Sequence, residues 1–387
     1  MTFHDPIPFH RPSVTEAEEA AVIEVMRSGW LTMGRRTVEF EEAVAVAVGT
    51  RHAVAVNSAT AALHLALEAL HIGPDDEVIV PTYTFAASGE VVRYLGARPR
   101  LADVDPVTLN LTAATAEAQL TPRTRAIMVV HFGGLLADMG PILDLAERHG
   151  LAVIEDAAHA LPCNRDGRAA GAWGTAGALS FYATKTVTTG EGGMLVTDDD
   201  AIADRARMMR LHGISRDAWK RYMSGGSWYY EIEDVGFKYN LTDLAAAIGL
   251  VQLTRAEEMR LERVRVARRY KERFEASPVA QYLDLPPAGD AGDVHAWHLF
   301  PVRLREGSPV DRDTLIERLT AAGIGTSVHF IPLHLHPYYR RTYGHAPDDL
   351  PVATAEYRRE VSLPIYPDLA EADVDRVVQA LEAALLD

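Results

Sequence analysis

The stretch Ser180-Phe-Tyr-Ala-Thr-Lys185, followed by Glu191-Gly192-Gly193, decides the fold of this chain. The apolar run Ala178–Tyr182 predicts a strand that ends just before the lysine, and Met194–Val196 predicts a second strand after the glycines. Lys185 is therefore expected on a turn between two strands. Taken alone, such a lysine is more often an ordinary surface residue of a hairpin.

A carboxylate at the end of another predicted strand favours a functional role. The run Leu151–Ile154 is typical of a buried parallel strand, and Asp156 ends it, at the edge where open α/β sheets bind ligands. A lysine amine becomes a nucleophile when its surroundings lower its pKa, and its best-known use on such a turn is a Schiff base with pyridoxal phosphate. A carboxylate can pair with the pyridine nitrogen of that cofactor and keep it protonated. The alternative for Asp156 is a helix cap on Ala157–His159.

Composition limits the possible partners. The 387 residues carry a formal charge of −16, from 38 basic and 54 acidic residues, which argues against nucleic-acid binding and against an anionic membrane surface. The single cysteine, Cys163, excludes an intramolecular disulfide and fits a reducing compartment. Neither a signal peptide nor an apolar run of membrane-spanning length is visible, so a cytoplasmic protein is expected.

Strands and helices alternate through the first part of the chain. Strands are predicted at 53–56, 78–81, 100–104, 127–131 and 152–156, with helices such as Met139–His149 between them. This alternation predicts an α/β fold with a mostly parallel central sheet and helices on both faces. Phe85, His131 and Asp156 are expected along one edge of it. The helix opened by Asn57–Thr60 either binds an anion at its N-terminus or is simply capped by Ser58.

The pattern changes after residue 250. The long charged helix Thr254–Ala276 is expected to lead from a large domain, residues 1–250, into a smaller α+β domain, residues 251–387. Within the latter, His329, His334 and His336 alternate in sequence. No carboxylate or cysteine accompanies them at ligand spacing, so no metal site is expected.

Several motifs then occur in a familiar order, and through them the chain resembles the DegT/DnrJ/EryC/StrS family of pyridoxal-phosphate-dependent sugar-nucleotide aminotransferases. The likeness covers almost the whole chain and implies fold type I. A closer likeness, to the enzymes that make UDP-4-amino-4-deoxy-L-arabinose, lies in residues 236–244, 294–300 and 323–326. The motifs of the broader likeness are Ser28–Gly34, Asn57–Leu63, Val80–Phe85, Glu155–Ala160, Ser180–Lys185, Glu191–Gly193, Gly236–Asp243 and Ser362–Pro367.

The resemblance implies roles for individual residues. Lys185 binds the cofactor covalently, Asp156 pairs with its pyridine nitrogen, and Phe85 stacks on its ring. His159 lies beside its phenolic oxygen. The phosphate is held by Ala59, Thr60 and Ser180, and by Asn240 of the neighbouring subunit in a homodimer with shared active sites. Thr186 departs from the asparagine that family members usually have after the lysine, and Ala59 replaces a common glycine.

The resemblance also implies the reaction, transfer of an amino group from L-glutamate to a keto sugar nucleotide, most simply a 4-keto sugar. A dehydratase or lyase on the same fold, or a non-catalytic sugar-nucleotide-binding regulator, is the alternative. A diphosphate substrate of so acidic a chain requires a local positive patch. The residues expected to bind the substrate are Trp30, Met33, Arg35, Arg36, Arg216, Lys220 and His329, with the four basic residues in loop-like stretches.

Overall fold

The structure is a computed structural model that describes residues 5–214 and 229–386. Arg216 and Lys220 lie outside the described residues. The strands in the described part are β1 (His52–Val56), β2 (Glu77–Pro81), β3 (Arg98–Ala102), β4 (Thr124–Val130), β5 (Ala152–Asp156), β6 (Asn164–Arg165), β7 (Arg168–Ala169), β8 (Ala176–Ser180), β9 (Gly193–Thr197), β10 (Leu283–Asp284), β11 (Asp293–Val294), β12 (Phe300–Leu304) and β13 (Glu360–Leu363).

The α-helices in the same residues are α1 (Glu16–Ser28), α2 (Arg35–Val48), α3 (Ala59–Ala69), α4 (Ala86–Tyr94), α5 (Ala113–Glu117), α6 (Met139–His149), α7 (Asp200–Met209), α8 (Asp243–Thr254), α9 (Ala256–Glu275), α10 (Arg312–Ala321), α11 (Pro337–Tyr343), α12 (Pro351–Tyr357) and α13 (Glu371–Leu386). Short 3-10 helices cover Phe132–Gly134, Pro278–Tyr282, Leu333–Leu335 and Pro347–Asp349. None of these described helices combines the length and apolar character needed to cross a bilayer.

The central sheet has the strand order β1-β9-β8-β5-β4-β2-β3 within the described residues. Strand β9 runs antiparallel to both of its neighbours, and the remaining adjacent pairs are parallel. Side chains alternate between the faces along each strand. Ile79 of β2 therefore packs with α2, α6 and α8 on one face, whereas Val78 and Val80 pack with α3, α4 and α7 on the other. The predicted α/β architecture, with helices on both faces, is confirmed.

Helix α2 was not predicted from the sequence. Arg35 and Arg36 were expected in a loop, but they begin α2. The acceptor for the free N–H groups at the start of α2 is distant in sequence. The Asp243 carboxylate accepts hydrogen bonds from the backbone N–H groups of Gly34, Arg36 and Thr37. Phe40, Val44 and Val48, spaced four residues apart, form the buried face of α2. That spacing was the available signal.

The C-terminal part forms a separate α+β layer, as the fold prediction required. Helix α9 leads to the sheet β10-β12-β13, which packs against α10 and α13 around a core of its own. Ile7, near the N-terminus, joins this core, and its backbone pairs with Gly323 and Gly325. The N-terminal segment thus contributes to the smaller unit, and the domain division after residue 250 stays a prediction.

Candidate active site

A cavity of about 600 Å³ opens at one edge of the central sheet. The parallel strands β1, β2, β5 and β8 all end at this edge, and residues at or just after those ends line the cavity. They include Ser58, Thr84, Phe85, Asp156 and Ser180. This is the edge at which ligands of open α/β sheets bind. The sequence-based placement of Phe85 and Asp156 therefore agrees with the structure.

Lys185 lies on the turn between β8 and β9, as expected. Its backbone N–H donates to the carbonyl of Tyr182 at 2.9 Å, and its side chain lines the cavity. Burial lowers the pKa of the Lys185 amine to about 8, an effect that the Asp156 carboxylate opposes and the Arg263 guanidinium reinforces. A larger fraction of this amine is therefore unprotonated near neutral pH than for an exposed lysine. That is the form that attacks a carbonyl carbon.

Asp156 is the last residue of β5 and lies almost completely buried below the cavity. The Ser88 hydroxyl donates to its Oδ2 at 2.7 Å, and the N–H of Ala158 donates to Oδ1 at 3.2 Å. Burial raises the pKa of the Asp156 carboxyl, and the two hydrogen bonds, together with the charge of Lys185, counteract that rise. A buried carboxylate in this position strongly favours a cationic partner.

The N-terminus of α3 faces the same cavity and has the geometry of an anion site. The Ser58 hydroxyl caps the helix by accepting the N–H of Ala61 at 3.1 Å. Ala59 and Thr60 occupy the first turn, where N–H groups have no intrahelical acceptor, and both line the cavity. Gly193 makes this arrangement possible, because a Cβ there would lie 2.2 Å from the carbonyl carbon of Ser58.

Two neutral histidines complete the wall around Lys185. Nε2 of His298 lies 3.4 Å from Nζ of Lys185. The ring centroid of His159 is 4.4 Å from that of His298, and its Nδ1 accepts the N–H of Gly133 at 3.4 Å. Burial and the nearby Lys185 charge hold the pKa of both histidines well below the usual range. Both imidazoles therefore act as neutral hydrogen-bonding groups.

Several predicted site residues lie elsewhere in this chain. Asn240 pairs with Val56 through its backbone, and its side chain accepts a hydrogen bond from Lys238 and donates to the Leu241 carbonyl. It is near the end of β1 but does not line the cavity of its own subunit. Its role across a dimer interface stays a prediction.

The predicted substrate residues before and within α2 form another group outside the cavity. Trp30 Nε1 donates to the carbonyl of Met33 at 3.1 Å. Arg35 is ion-paired with Glu39, and Arg36 with Glu24 and Glu39. Arg36 therefore carries two carboxylate partners within its own chain, whereas the Arg35 side chain remains largely exposed. Their contact with substrate stays a prediction.

The histidines singled out in the sequence have different environments. His329 lines the cavity. His334 is buried between the hydroxyls of Thr82 and Thr354. The ring of His336 is near the Ile331 carbonyl. His131 directly follows the end of β4, at the same edge as Phe85 and Asp156, as expected, but its ring is buried and does not line the cavity: it pairs with Glu155 and accepts the N–H of Ala137.

Other site residues had not been singled out in the sequence. His298 contacts Lys185, Ser88 contacts Asp156, and Phe9 and His10 bring the N-terminal segment to the cavity. Ser88 follows Thr84 by one helical turn, and their hydroxyls are 2.8 Å apart. This spacing was a weak local signal for Ser88. For the other three, the contact depends on packing between distant segments.

Comparison with known proteins agrees with this geometry. The family model of the DegT/DnrJ/EryC1/StrS aminotransferase family matches residues 12–382. The chain belongs to this family. It is 47% identical over 377 residues to the spore coat polysaccharide biosynthesis protein SpsC of Bacillus subtilis, covering 97% of this chain and 96% of SpsC.

Comparison with solved structures shows that this chain has the fold type I architecture. The aminotransferase TlmJ from Streptoalloteichus hindustanus matches with a TM-score of 0.90 and 36% identity, over 98% of this chain and 99% of TlmJ. The PLP form of the putative sugar aminotransferase Spr1654 from Streptococcus pneumoniae matches with a TM-score of 0.90 and 30% identity, over 98% of each chain. The protein is therefore a pyridoxal-phosphate-dependent aminotransferase of the sugar aminotransferase group.

The cavity residues fit pyridoxal phosphate. The cofactor carries an aldehyde, a pyridine nitrogen and a phosphate, and the cavity offers a partly deprotonated Lys185 amine, a buried Asp156 carboxylate and the first turn of α3. Because Gly193 has no side chain, the backbone at the start of α3 can pack directly against it. Each chemical group of the cofactor thus has a matching group in one cavity.

Proposed function

We propose that the protein transfers an amino group from L-glutamate to a keto sugar carried on a nucleotide, with a 4-keto sugar as the preferred acceptor. The observation that carries this proposal is the placement of Lys185 and Asp156 in one cavity at the carboxyl edge of the sheet. The cavity volume of about 600 Å³ leaves room for a sugar beside the cofactor. The family membership supports the sugar as the acceptor.

When bound, the cofactor provides an electron sink for the pair of electrons left on the substrate carbon after proton removal. Lys185 has the position and the lowered pKa of the base that would take this proton from the donor α-carbon and deliver it to the C4′ position of the cofactor. Asp156, oriented by Ser88, keeps the ring nitrogen protonated. The first turn of α3 orients the phosphate through Ala59 and Thr60, together with Ser180.

Phe85 and His159 are proposed to hold the cofactor ring. Phe85 begins α4 as its N-cap residue and is 62% exposed, so its ring has a free face toward the cavity. The neutral His159 presents a hydrogen-bonding nitrogen without adding charge. Because the group beside the phenolic oxygen is neutral, the charges next to the cofactor ring come from Lys185 and Asp156.

The active sites are proposed to be shared within a homodimer. Asn240 and the segment Trp30–Met33 lie outside their own cavity, and the apolar side chains Met26, Trp30 and Leu31 are exposed. In a two-fold dimer, each subunit would place these segments at the active site of the other. Trp30, Met33, Arg35 and Arg36, with Arg216 and Lys220, are then the candidates for contacts to the sugar nucleotide.

A screen of keto sugar nucleotides tests the proposed reaction. The enzyme is first converted with L-glutamate, which changes the cofactor absorbance and releases 2-oxoglutarate, and each sugar nucleotide is then added. Return of the original absorbance with a stoichiometric amino sugar product supports the proposal. A sugar product without nitrogen would instead indicate the dehydratase or lyase alternative. Absence of any reaction with every keto sugar nucleotide would contradict the proposed substrate class.

A further inference from the structure

His329 lines the cavity, and two residues of β13 contact it from the protein side: Ser362 at the ring and Glu360 at the backbone N–H. Its Nδ1 lies 2.9 Å from Oγ of Ser362, and this hydroxyl lies 2.5 Å from Oε1 of Glu360. Ser362 and Glu360 are completely buried. No group in residues 5–214 and 229–386 hydrogen-bonds Nε2 of His329, which leaves this nitrogen for a ligand in the cavity.

The second carboxyl oxygen of Glu360 fixes the polarity of the chain of hydrogen bonds. Oε2 accepts the backbone N–H of His329 at 2.9 Å. A backbone N–H only donates, so Oε2 is an acceptor in every state. A proton on Oε1 has the Ser362 hydroxyl as its acceptor, whereas Oε2 faces only a donor, so Oε1 is the oxygen that carries the proton of a neutral Glu360.

This constraint leaves two arrangements. When Glu360 is ionised, the Ser362 hydroxyl donates to Oε1 and accepts from Nδ1–H of His329, so Nε2 carries only a lone pair. When Glu360 is protonated, Oε1–H donates to Ser362, whose hydroxyl then donates to Nδ1, so Nε2 carries the proton. The second arrangement holds one more proton, on Glu360. The imidazole stays neutral and exchanges its Nδ1 proton for one at Nε2.

Burial determines which arrangement exists at neutral pH. It raises the pKa of the Glu360 carboxyl to about 8, and the hydrogen bonds from Ser362 and His329 offset this only in part. Burial also lowers the pKa of His329 to about 4, so its ring is uncharged. The other groups that face this pair are Arg303 on β12, Arg312 on α10, Tyr83 after β2, and Lys185, His159 and His298 across the cavity.

We propose that Glu360 and Ser362 are positioning residues that set the hydrogen-bond polarity of His329. At neutral pH, Nε2 of His329 donates to an oxygen of the sugar substrate; in alkaline solution it becomes an acceptor and no longer suits a keto oxygen. The identity of this ligand rests on the proposed function. The two-state arrangement behind His329 does not, because it depends only on residues of this chain.

The tautomer of His329 tests the proposal directly. The holoenzyme is labelled with ¹⁵N in its histidine rings, and the signals of His329 are identified by their loss in His329→Asn. At about pH 6.5 and about pH 9.5, on either side of the carboxyl pKa, long-range ¹H–¹⁵N spectra report which ring nitrogen is protonated. We expect Nε2 to carry the proton at the lower pH and Nδ1 at the higher pH.

Two variants test the relay, that is, the chain of hydrogen bonds from Glu360 through Ser362 to His329. In Glu360→Gln, the side-chain oxygen must accept the His329 N–H, so the amide NH₂ faces Ser362 and keeps the proton on Nε2 at both pH values. Ser362→Ala disconnects the carboxyl from the ring and removes the pH dependence. Ser327→Ala is the matched control. Ser327 also lines the cavity, and its backbone pairs with that of Ser362, so the variant removes a nearby hydroxyl but should behave as the wild type does.

The same tautomer at both pH values in the wild type would overturn the proposal, as would a Glu360→Gln enzyme that still changes tautomer. If Glu360→Gln fails to fold, Ser362→Ala alone decides, since a retained pH-dependent change there excludes the relay. This readout needs no sugar. Failure of the sugar-nucleotide screen would therefore leave the result on His329 intact.

Discussion

Nζ of Lys185 lies 3.4 Å from Nε2 of His298, a buried and uncharged imidazole. The amine thus has a neutral hydrogen-bonding neighbour on one side and the Asp156 carboxylate as the main charge that stabilises its protonated form. Beneath this pair, Arg263 is a fully buried cation whose Nη1 donates to the Ile365 carbonyl at 2.9 Å. Burial and this second positive charge both keep the amine reactive.

The free amine should therefore titrate close to neutrality. In the apoenzyme, the rate of Schiff-base formation with added pyridoxal phosphate should rise with pH and level off above about 8, the pKa of Lys185. The direction follows because only the unprotonated amine attacks the aldehyde. Stopped-flow absorbance measures this rate. A profile that keeps rising to the pKa of an exposed lysine would show that burial does not tune this residue.

Arg263 contributes to that tuning through its charge. Arg263→Met should move the rising limb of the same profile to higher pH, because a positive charge that disfavours the protonated amine has been removed. Arg263→Lys keeps the charge and is the control for lost packing. Equal shifts of the limb in both variants, or no shift in either while the proteins remain folded, would contradict this role of Arg263.

Asp156→Asn should fold and bind the cofactor but lose most of its activity. A neutral amide does not hold the pyridine nitrogen protonated, so the electron sink weakens. We expect kcat to fall by roughly 10²–10³, the range for removal of one preorganised electrostatic group. Ser88→Ala, which removes only the hydrogen bond to Oδ2, should cost much less. Near-normal turnover in Asp156→Asn would contradict the role assigned to this carboxylate.

Gly193→Ala should weaken cofactor binding. The added Cβ would lie 2.2 Å from the carbonyl carbon of Ser58 and 2.5 Å from the nitrogen of Ala59, so the start of α3 must move. Overpacking of this kind costs about 1–3 kcal/mol, or about 5- to 150-fold in Kd if it falls on the phosphate site. Gly140→Ala, where the added atom meets nothing within 4 Å, is the control. Equal cofactor affinity in both variants, measured by fluorescence titration, would argue against a phosphate at α3.

Shared active sites predict complementation between inactive subunits. Lys185→Ala and Asn240→Ala subunits should each have low activity, and a mixed dimer should regain one site with both side chains intact. Activity is measured after the two proteins have been unfolded and refolded together, with mixed dimers verified by two different affinity tags. Mixed dimers without recovered activity would mean that Asn240 serves the cavity of its own subunit or none.

Local pattern was sufficient for the parts of this molecule that depend on neighbouring residues. Alternating strands and helices gave the central sheet, and the end of β5 and the turn after β8 gave Asp156 and Lys185. His298 was not predictable in this way, because its contact with Lys185 joins residues 113 positions apart. The start of α2 was missed for the same reason, since its N-terminal acceptor is Asp243 on α8.

Reduction followed by peptide mapping shows whether Lys185 carries the cofactor. Borohydride treatment of the yellow holoenzyme should fix the cofactor irreversibly to a lysine, and mass spectrometry of the digest should locate it on the peptide that contains Lys185. Lys185→Ala should retain cofactor noncovalently and acquire no label. A label on another lysine in the wild type, or continued turnover by Lys185→Ala, would contradict the account.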